Sequence, residues 1–323
     1  MPASTMPKAA LETSTMTAPS RWADRLFHGA ALTAAAGVAA LFLLVVFVLW
    51  QGAHLSLAKF GWRFLGSSEW DPVQEHYGAL PFIYGTVVSS VIALVIAVPL
   101  SIGTAVFLTD LSPGWLRQPV SSLIEMLAAV PSVIWGLWGV FVMVPWLRDH
   151  AFPFLREYFG FLPLFQGPIY GVSMLAGGLI IAIMILPIVA SVSREILRAV
   201  PNLQREAAYG LGATRWEVTR IAVLSYARRG LLGAAVLGLG RAVGETMAVT
   251  MVIGNRPDIV KSLFAPGYTL ASVIANEFTE ATTDMYLSAL FELGLVLMGL
   301  TIAVNILAQG LIKTIESPGS RRA

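Results

Sequence analysis

Six apolar runs of bilayer-spanning length set the terms for this chain. They fall near 29–50, 81–108, 119–147, 169–193, 230–254 and 286–312, and a helix needs about 20 predominantly apolar residues to cross the hydrocarbon core. Only 12% of the residues are charged and 56% are hydrophobic, where a soluble domain carries about 25% charged residues. The pattern predicts an all-α polytopic membrane protein of about six transmembrane helices. Residues 1–28 form its disordered N-terminal tail, 29–312 the transmembrane domain and 313–323 the C-terminal tail. Residues 1–20 in particular are small, polar and patternless, with too little apolar surface to offset the entropy of ordering. Arg21 and Arg25 precede the first run, as basic residues precede a signal peptide. The run is longer than an apolar signal core of about 7–15 residues and no clear cleavage site follows, so it reads as an anchoring span.

The basic residues orient the bundle. The N-terminal tail, the 109–118 turn, the 194–229 segment and the C-terminal tail hold fourteen lysines and arginines, and the three alternate loops hold six. By the positive-inside rule both termini and the 194–229 segment are expected in the cytoplasm. The alternate loops are aromatic: Trp50, Trp62, Trp70 and Tyr77 in and beside 51–80, and Phe152, Phe154, Tyr158, Phe159, Phe161 and Phe165 within 148–168. Amphipathic rings prefer the headgroup level, so these loops are expected to lie along the outer surface as interface anchors.

The 194–229 segment is too polar to enter the membrane and too patterned for a plain linker. Pro201 suits the first turn of a helix, and Gly210 and Gly212 can end that helix in a left-handed conformation. Thr214 followed by Glu217 has the spacing of a capping box for a second short helix. Together they predict a compact helix-turn-helix presented to the cytosol.

Glu206-Ala207-Ala208 followed by Gly212 and then by Ala222-Val223-Leu224 resembles the EAA motif of permease subunits in ATP-binding cassette importers. It departs at Ala222, where isoleucine is usual, and at Ser225, where proline is usual. Three longer stretches are similar to the PstC-type permeases of phosphate importers: SSEWDPVQEHYGALPFIYGT (67–86), AVPSVIWGLWGVFV (129–142) and GLGRAVGETMAVTMVIGN (238–255). The resemblance runs from about residue 29 to 312. It implies a type I ABC importer permease fold in the bacterial inner membrane, with Glu206, Ala207, Ala208 and Gly212 coupling to an ATPase. It also implies four partners: a PstA-type permease, two PstB-type ATPases and a PstS-type phosphate-binding protein. No G-x-x-x-x-G-K-[ST] occurs in the chain, so it has no Walker A loop of its own. ATP and magnesium are then expected on the partner ATPases, and no cofactor or catalytic residue in this chain.

Arg241 and Glu245 stand inside the fifth run. At i and i+4 they share a helix face, and intramembrane charges face a bundle interior or a wet cavity rather than lipid. A guanidinium suits an oxyanion. A carboxylate beside it can neutralise the arginine when no substrate is present, or accept a proton from hydrogen phosphate, which would disfavour sulfate. The family resemblance implies a role in translocation; a structural ion pair is the alternative. Gly240 and Gly244 beside them form a small-xxx-small face suited to close helix contact. Glu125 and Glu292 lie near span ends, where snorkelling or capping is expected, Glu125 within reach of Arg117. Pro99, Pro131 and Pro187 are expected to kink their spans.

Several chemistries fall away. There is no cysteine, hence no thiolate metal site. His28, His54, His76 and His150 are scattered without ligand spacing, and GLGRAVG fits the dinucleotide fingerprint poorly because its third glycine falls one place late. Two alternatives remain beside phosphate import: a permease for another oxyanion, such as sulfate or molybdate, and an ion-coupled secondary transporter using Glu245 as a proton relay.

Overall fold

The computed structural model describes residues 21–314 of the 323. Both expected tails therefore lie outside the described residues, except at 21–28 and 313–314, which are helical rather than disordered. The chain divides into two units, residues 1–48 and 49–323. α1 (Arg21–Gly52) is one continuous helix and is apolar on all sides through its span, the signature of a helix that meets lipid.

The first loop is more structured than a surface apron. α2 (His54–Phe60) and α3 (Arg63–Gly66) lead into a tight turn closed by Asp71 and His76. Trp70 and Tyr77, expected at the interface, are instead packed with Phe64, Phe82, Tyr268 and Tyr286. The Trp70 ring meets Phe82 edge-on at 4.8 Å and Tyr77 at 5.0 Å, and its indole N–H donates to Glu277 at 2.8 Å. Aromatic pairs of this geometry add about 0.5–1.5 kcal/mol beyond burial, which favours the core over the headgroups once polar tips find partners. Trp62 stays 89% exposed. The second aromatic loop splits likewise: Phe152 is buried against Phe264 at 4.8 Å, while Phe154 and Phe161 remain exposed.

α4 (Leu80–Val106) begins with Pro81 in its first turn and extends through a π-turn at Phe107–Leu111. Pro99 lies inside it without ending it. The expected third span, 119–147, is not one helix. α5 (Gly114–Ala129) stops at Val130-Pro131, and the chain resumes at 94° through α6 (Ser132–Trp138), α7 (Val144–Trp146) and α8 (Phe152–Phe159). Proline disfavours a helical conformation in the residue before it, and Val130 is accordingly extended at φ −68, ψ 127. Proline breaks the helix here and leaves α4 and α9 continuous.

α9 (Met174–Arg198) is the central helix, running through Pro187. It packs along α4 and against α5 and the fifth span. Close approach rests on glycine: a Cβ on Gly178 would sit 2.6 Å from Ile92 of α4. α10 (Asn202–Gly210) crosses the end of the bundle. α11 (Arg215–Glu217) is not a separate second helix as expected. It runs through a π-turn at Val218–Val223 straight into α12 (Leu224–Val243), giving a 29-residue fifth span. α13 (Met247–Val252) and α14 (Leu270–Glu277) precede the last span, α15 (Asp284–Thr314). Among the described residues five helices are long and apolar enough to cross a membrane, or six if the bent pair is one span.

Candidate functional site

The docking segment is assembled from local rules. Pro201 precedes α10 as its N-cap, φ −56 and ψ 136, one residue ahead of the expected first turn. The helix ends at Gly210, and Gly212 takes φ +84, the left-handed turn that glycine adopts without penalty. Thr214 then closes the capping box: its backbone N–H donates to the Glu217 carboxylate at 2.8 Å, and its hydroxyl accepts the Glu217 N–H at 3.4 Å. No residue of α10 is buried. Glu206, Ala207 and Gly212 are exposed and Ala208 is half-buried. Leu203 and Leu211, 73% and 90% exposed, flank them.

Two ion pairs hold this segment, and the sequence reading found neither. The Arg205 guanidinium on α10 contacts the carboxylate of Asp110 in the π-turn after α4, and donates to the carbonyl of Leu197 at 3.0 Å. The Thr219 hydroxyl lies 3.5 Å from the same aspartate. Glu125, expected near Arg117, pairs instead with Arg194 of α9 at 2.9 Å. The sequence carried no signal for either pair: Glu195 and Glu206 stand next to Arg194 and Arg205 in the chain, and only the fold brings Asp110 and Glu125 to those arginines.

Arg241 and Glu245 come together with a correction to their setting. α12 stops at Val243, Gly244 is non-helical, and the chain restarts at Met247. The pair therefore straddles a break instead of sharing one helix face. Arg241 ends α12, where the helix dipole favours a cation. Glu245 is 8% exposed. The two charges lie 3.8 Å apart, and the Arg241 side chain is 44% exposed. Among the described residues the guanidinium makes no hydrogen bond. Gly240 and Gly244 meet no other helix; the close contact falls at Gly238, where a Cβ would lie 2.7 Å from Val189.

Glu292 departs from its expected snorkelling role. It is 4% exposed, and one carboxylate oxygen lacks a hydrogen-bond partner, beside Ser56 of α2. Among the described residues no group of three metal-ligating side chains converges.

Comparison with known proteins matches this geometry. Residues 97–317 fit the family described as binding-protein-dependent transport system inner membrane component. The chain is 47% identical over 300 residues to the phosphate transport system permease protein PstC of Mesorhizobium japonicum, covering 91% of each. It is 48% identical over 289 residues to the protein of the same description in Pasteurella multocida, covering 88% of this chain and 89% of that one. It also superposes on a chain of the MetNI methionine ABC transporter, solved in inward-facing conformations. The TM-score is 0.50 and the identity 19%, over 74% of this chain and 95% of that one. That last likeness is one of fold, the fold of type I importer permeases.

Proposed function

Because this chain belongs to the binding-protein-dependent transport permeases and, among them, to the PstC-type phosphate permeases, we propose a mechanism in which one rod joins an ATPase dock to a phosphate-contacting arginine. The protein is a multi-pass inner-membrane permease subunit of an ABC phosphate importer. It is a transport subunit, not an enzyme, and it works within a complex with other subunits. In our reading those subunits are a PstA-type permease that supplies the other half of the pathway, two PstB-type ATPases that bind ATP and magnesium, and a PstS-type phosphate-binding protein.

One observation carries the mechanism: α10 is exposed on its Glu206-Ala207-Ala208 side and anchored on its other side. Closure of the ATPases pushes on α10. The Gly212 turn passes that motion into the helix that begins at Arg215, and the Asp110–Arg205 contact passes it into α4. From Arg215 to Arg241 the rod is about 39 Å long at 1.5 Å per residue, so a tilt at the dock displaces Arg241 deep in the bundle. A guanidinium without a hydrogen-bonded partner receives the phosphate oxygens. Glu245 balances its charge between turnovers and accepts a hydrogen bond from the O–H of hydrogen phosphate, which sulfate cannot donate.

The 109–118 turn and the 194–229 segment meet through the Asp110–Arg205 ion pair, and Glu125 of α5 meets Arg194 beside it. That supports the cytoplasmic orientation of both, and of the termini, inferred from the fourteen-to-six basic asymmetry.

Reconstitution of the four-component complex in proteoliposomes tests this reading. Uptake of radiolabelled phosphate should require ATP hydrolysis and resist excess sulfate. Uptake that survives an ATPase-dead partner would instead indicate an ion-coupled carrier, and competition by sulfate or molybdate would indicate a broader oxyanion permease.

A further inference from the structure

A cavity of about 270 Å³ opens between the first turns of α5 and the end of α9, at the end of the bundle that carries α10. Arg117, Gln118, Ser122, Glu125, Arg194 and Arg198 line it. We propose that this cavity is a second phosphate-binding site, separate from the Arg241–Glu245 pair, which takes either free inorganic phosphate or the phosphodiester of an anionic lipid headgroup.

The charges do not balance within the chain. Arg117 is fixed by donating to the carbonyls of Thr109 at 3.1 Å and Ser112 at 3.5 Å, and its Nε is buried without a hydrogen-bond partner. No carboxylate pairs with it among the described residues. It also sits in the first turn of α5, the end where the helix dipole opposes a cation, and no side chain caps that end.

Arg194, 8% exposed, gives Nη2 to Glu125 and keeps a buried Nε with no hydrogen bond. Arg198 stands one turn further along the same face, an unfavourable like-charge spacing. The two share Glu195 at 3.6 and 3.3 Å. Three guanidiniums thus meet two carboxylates, and one carboxylate is divided between two of them.

A tetrahedral dianion or phosphodiester supplies what is missing. It would accept from the unused guanidinium N–H groups, from the Ser122 hydroxyl and from the start of α5, where backbone N–H groups and the dipole both favour an anion. Glu125 is 59% exposed at its side chain, so it can swing aside as the resident counter-charge. Leu123, Met126 and Leu127 are exposed on the same helix, α5, an apolar surface on which acyl chains could lie. Basic pockets between spans hold anionic headgroups by this chemistry.

The test uses the assembled transporter carrying Arg241→Gln, so that the pathway site contributes no anion affinity. In one arm, discs of zwitterionic lipid are titrated with inorganic phosphate. In the other, native mass spectrometry counts phosphatidylglycerol or cardiolipin retained on the complex. The double variant Arg117→Gln/Arg198→Gln should weaken binding about ten-fold or more in one arm, as expected for losing charge-assisted hydrogen bonds. Glu125→Gln should tighten it in the same arm. The arm that responds identifies the source. Should the double variant fail to assemble, Glu125→Gln alone decides. Unchanged phosphate binding and unchanged lipid retention in the assembling variants would overturn the proposal. Neither arm measures transport, so the result is independent of whether Arg241 contacts the cargo.

Discussion

Arg205 on the docking helix reaches Asp110 at the end of α4, a residue 95 positions earlier in the chain. The contact is largely sheltered, with the aspartate side chain 9% exposed. In the mechanism proposed above, this contact would make α4 a second output of the dock, alongside the helix that follows Gly212.

Asp110→Asn should therefore uncouple rather than dismantle the transporter. Losing a charge-assisted hydrogen bond of this kind costs about 1.5–3 kcal/mol, too little to unfold the bundle. The ATPases should still co-purify and hydrolyse ATP, while phosphate moved per ATP falls. Arg205→Lys, which keeps the charge but cannot reach both Asp110 and the Leu197 carbonyl, should give an intermediate ratio. A normal transport-to-hydrolysis ratio in Asp110→Asn would reduce the pair to local packing.

The two faces of the dock should separate by mechanism. Gly212→Val forces a β-branched residue into φ +84, a strained conformation that costs about 1–3 kcal/mol, and should misdirect the helix from Arg215 onward. Glu206→Lys is exposed and should leave stability unchanged while reversing charge at the interface. Both should abolish uptake, and at least one should lose the ATPase subunits on purification from a membrane that still contains the permease. Full uptake in both would remove the segment from coupling.

These elements were legible in the sequence to different degrees, for physical reasons. The Thr214–Glu217 capping box and the Gly212 turn are local: their partners lie within a few residues, so spacing alone predicts them. The spans are legible because a bilayer demands length and apolarity. The Val130-Pro131 break was not, because proline ends one helix and leaves another whole depending on what refills the backbone bonds, as Pro99 and Pro187 show. Trp70 and Tyr77 were misplaced because an aromatic ring suits an interface and a core equally until its polar tip finds a partner, and here Glu277 supplies it for the tryptophan. Asp110–Arg205 and Glu125–Arg194 were missed because pairings across 95 and 69 positions are decided by packing.

Orientation can be read directly because the chain has no cysteine. Gln204 on α10 and Ser68 in the first loop are both exposed. A cysteine at Ser68 should react with an impermeant external thiol reagent in intact cells, and one at Gln204 only after the membrane is opened. Labelling of position 204 from outside would invert the topology and remove the docking role.

The ion pair in the fifth span admits a sharper test than charge exchange. Placing arginine at 245 would put a longer side chain and a cation into a position that is only 8% exposed, so a swapped pair fails whether or not Arg241 meets phosphate. Single replacements at 241 discriminate. Arg241→Gln leaves the Glu245 carboxylate, 8% exposed, without its counter-charge. Because the guanidinium itself is 44% exposed, the cost should stay below about 3–5 kcal/mol, that of breaking a fully buried pair. The complex should assemble and its ATPases bind nucleotide, while phosphate uptake is lost. Arg241→Lys keeps the charge without the planar fork; partial uptake would indicate electrostatics, and none would indicate bidentate geometry. Glu245→Gln keeps the size and shape of the side chain and should reduce uptake less, while sulfate begins to compete with phosphate because the carboxylate that accepts the phosphate O–H is gone. Wild-type uptake in Arg241→Gln would sink the anion contact and leave helix packing as the reason for both charges.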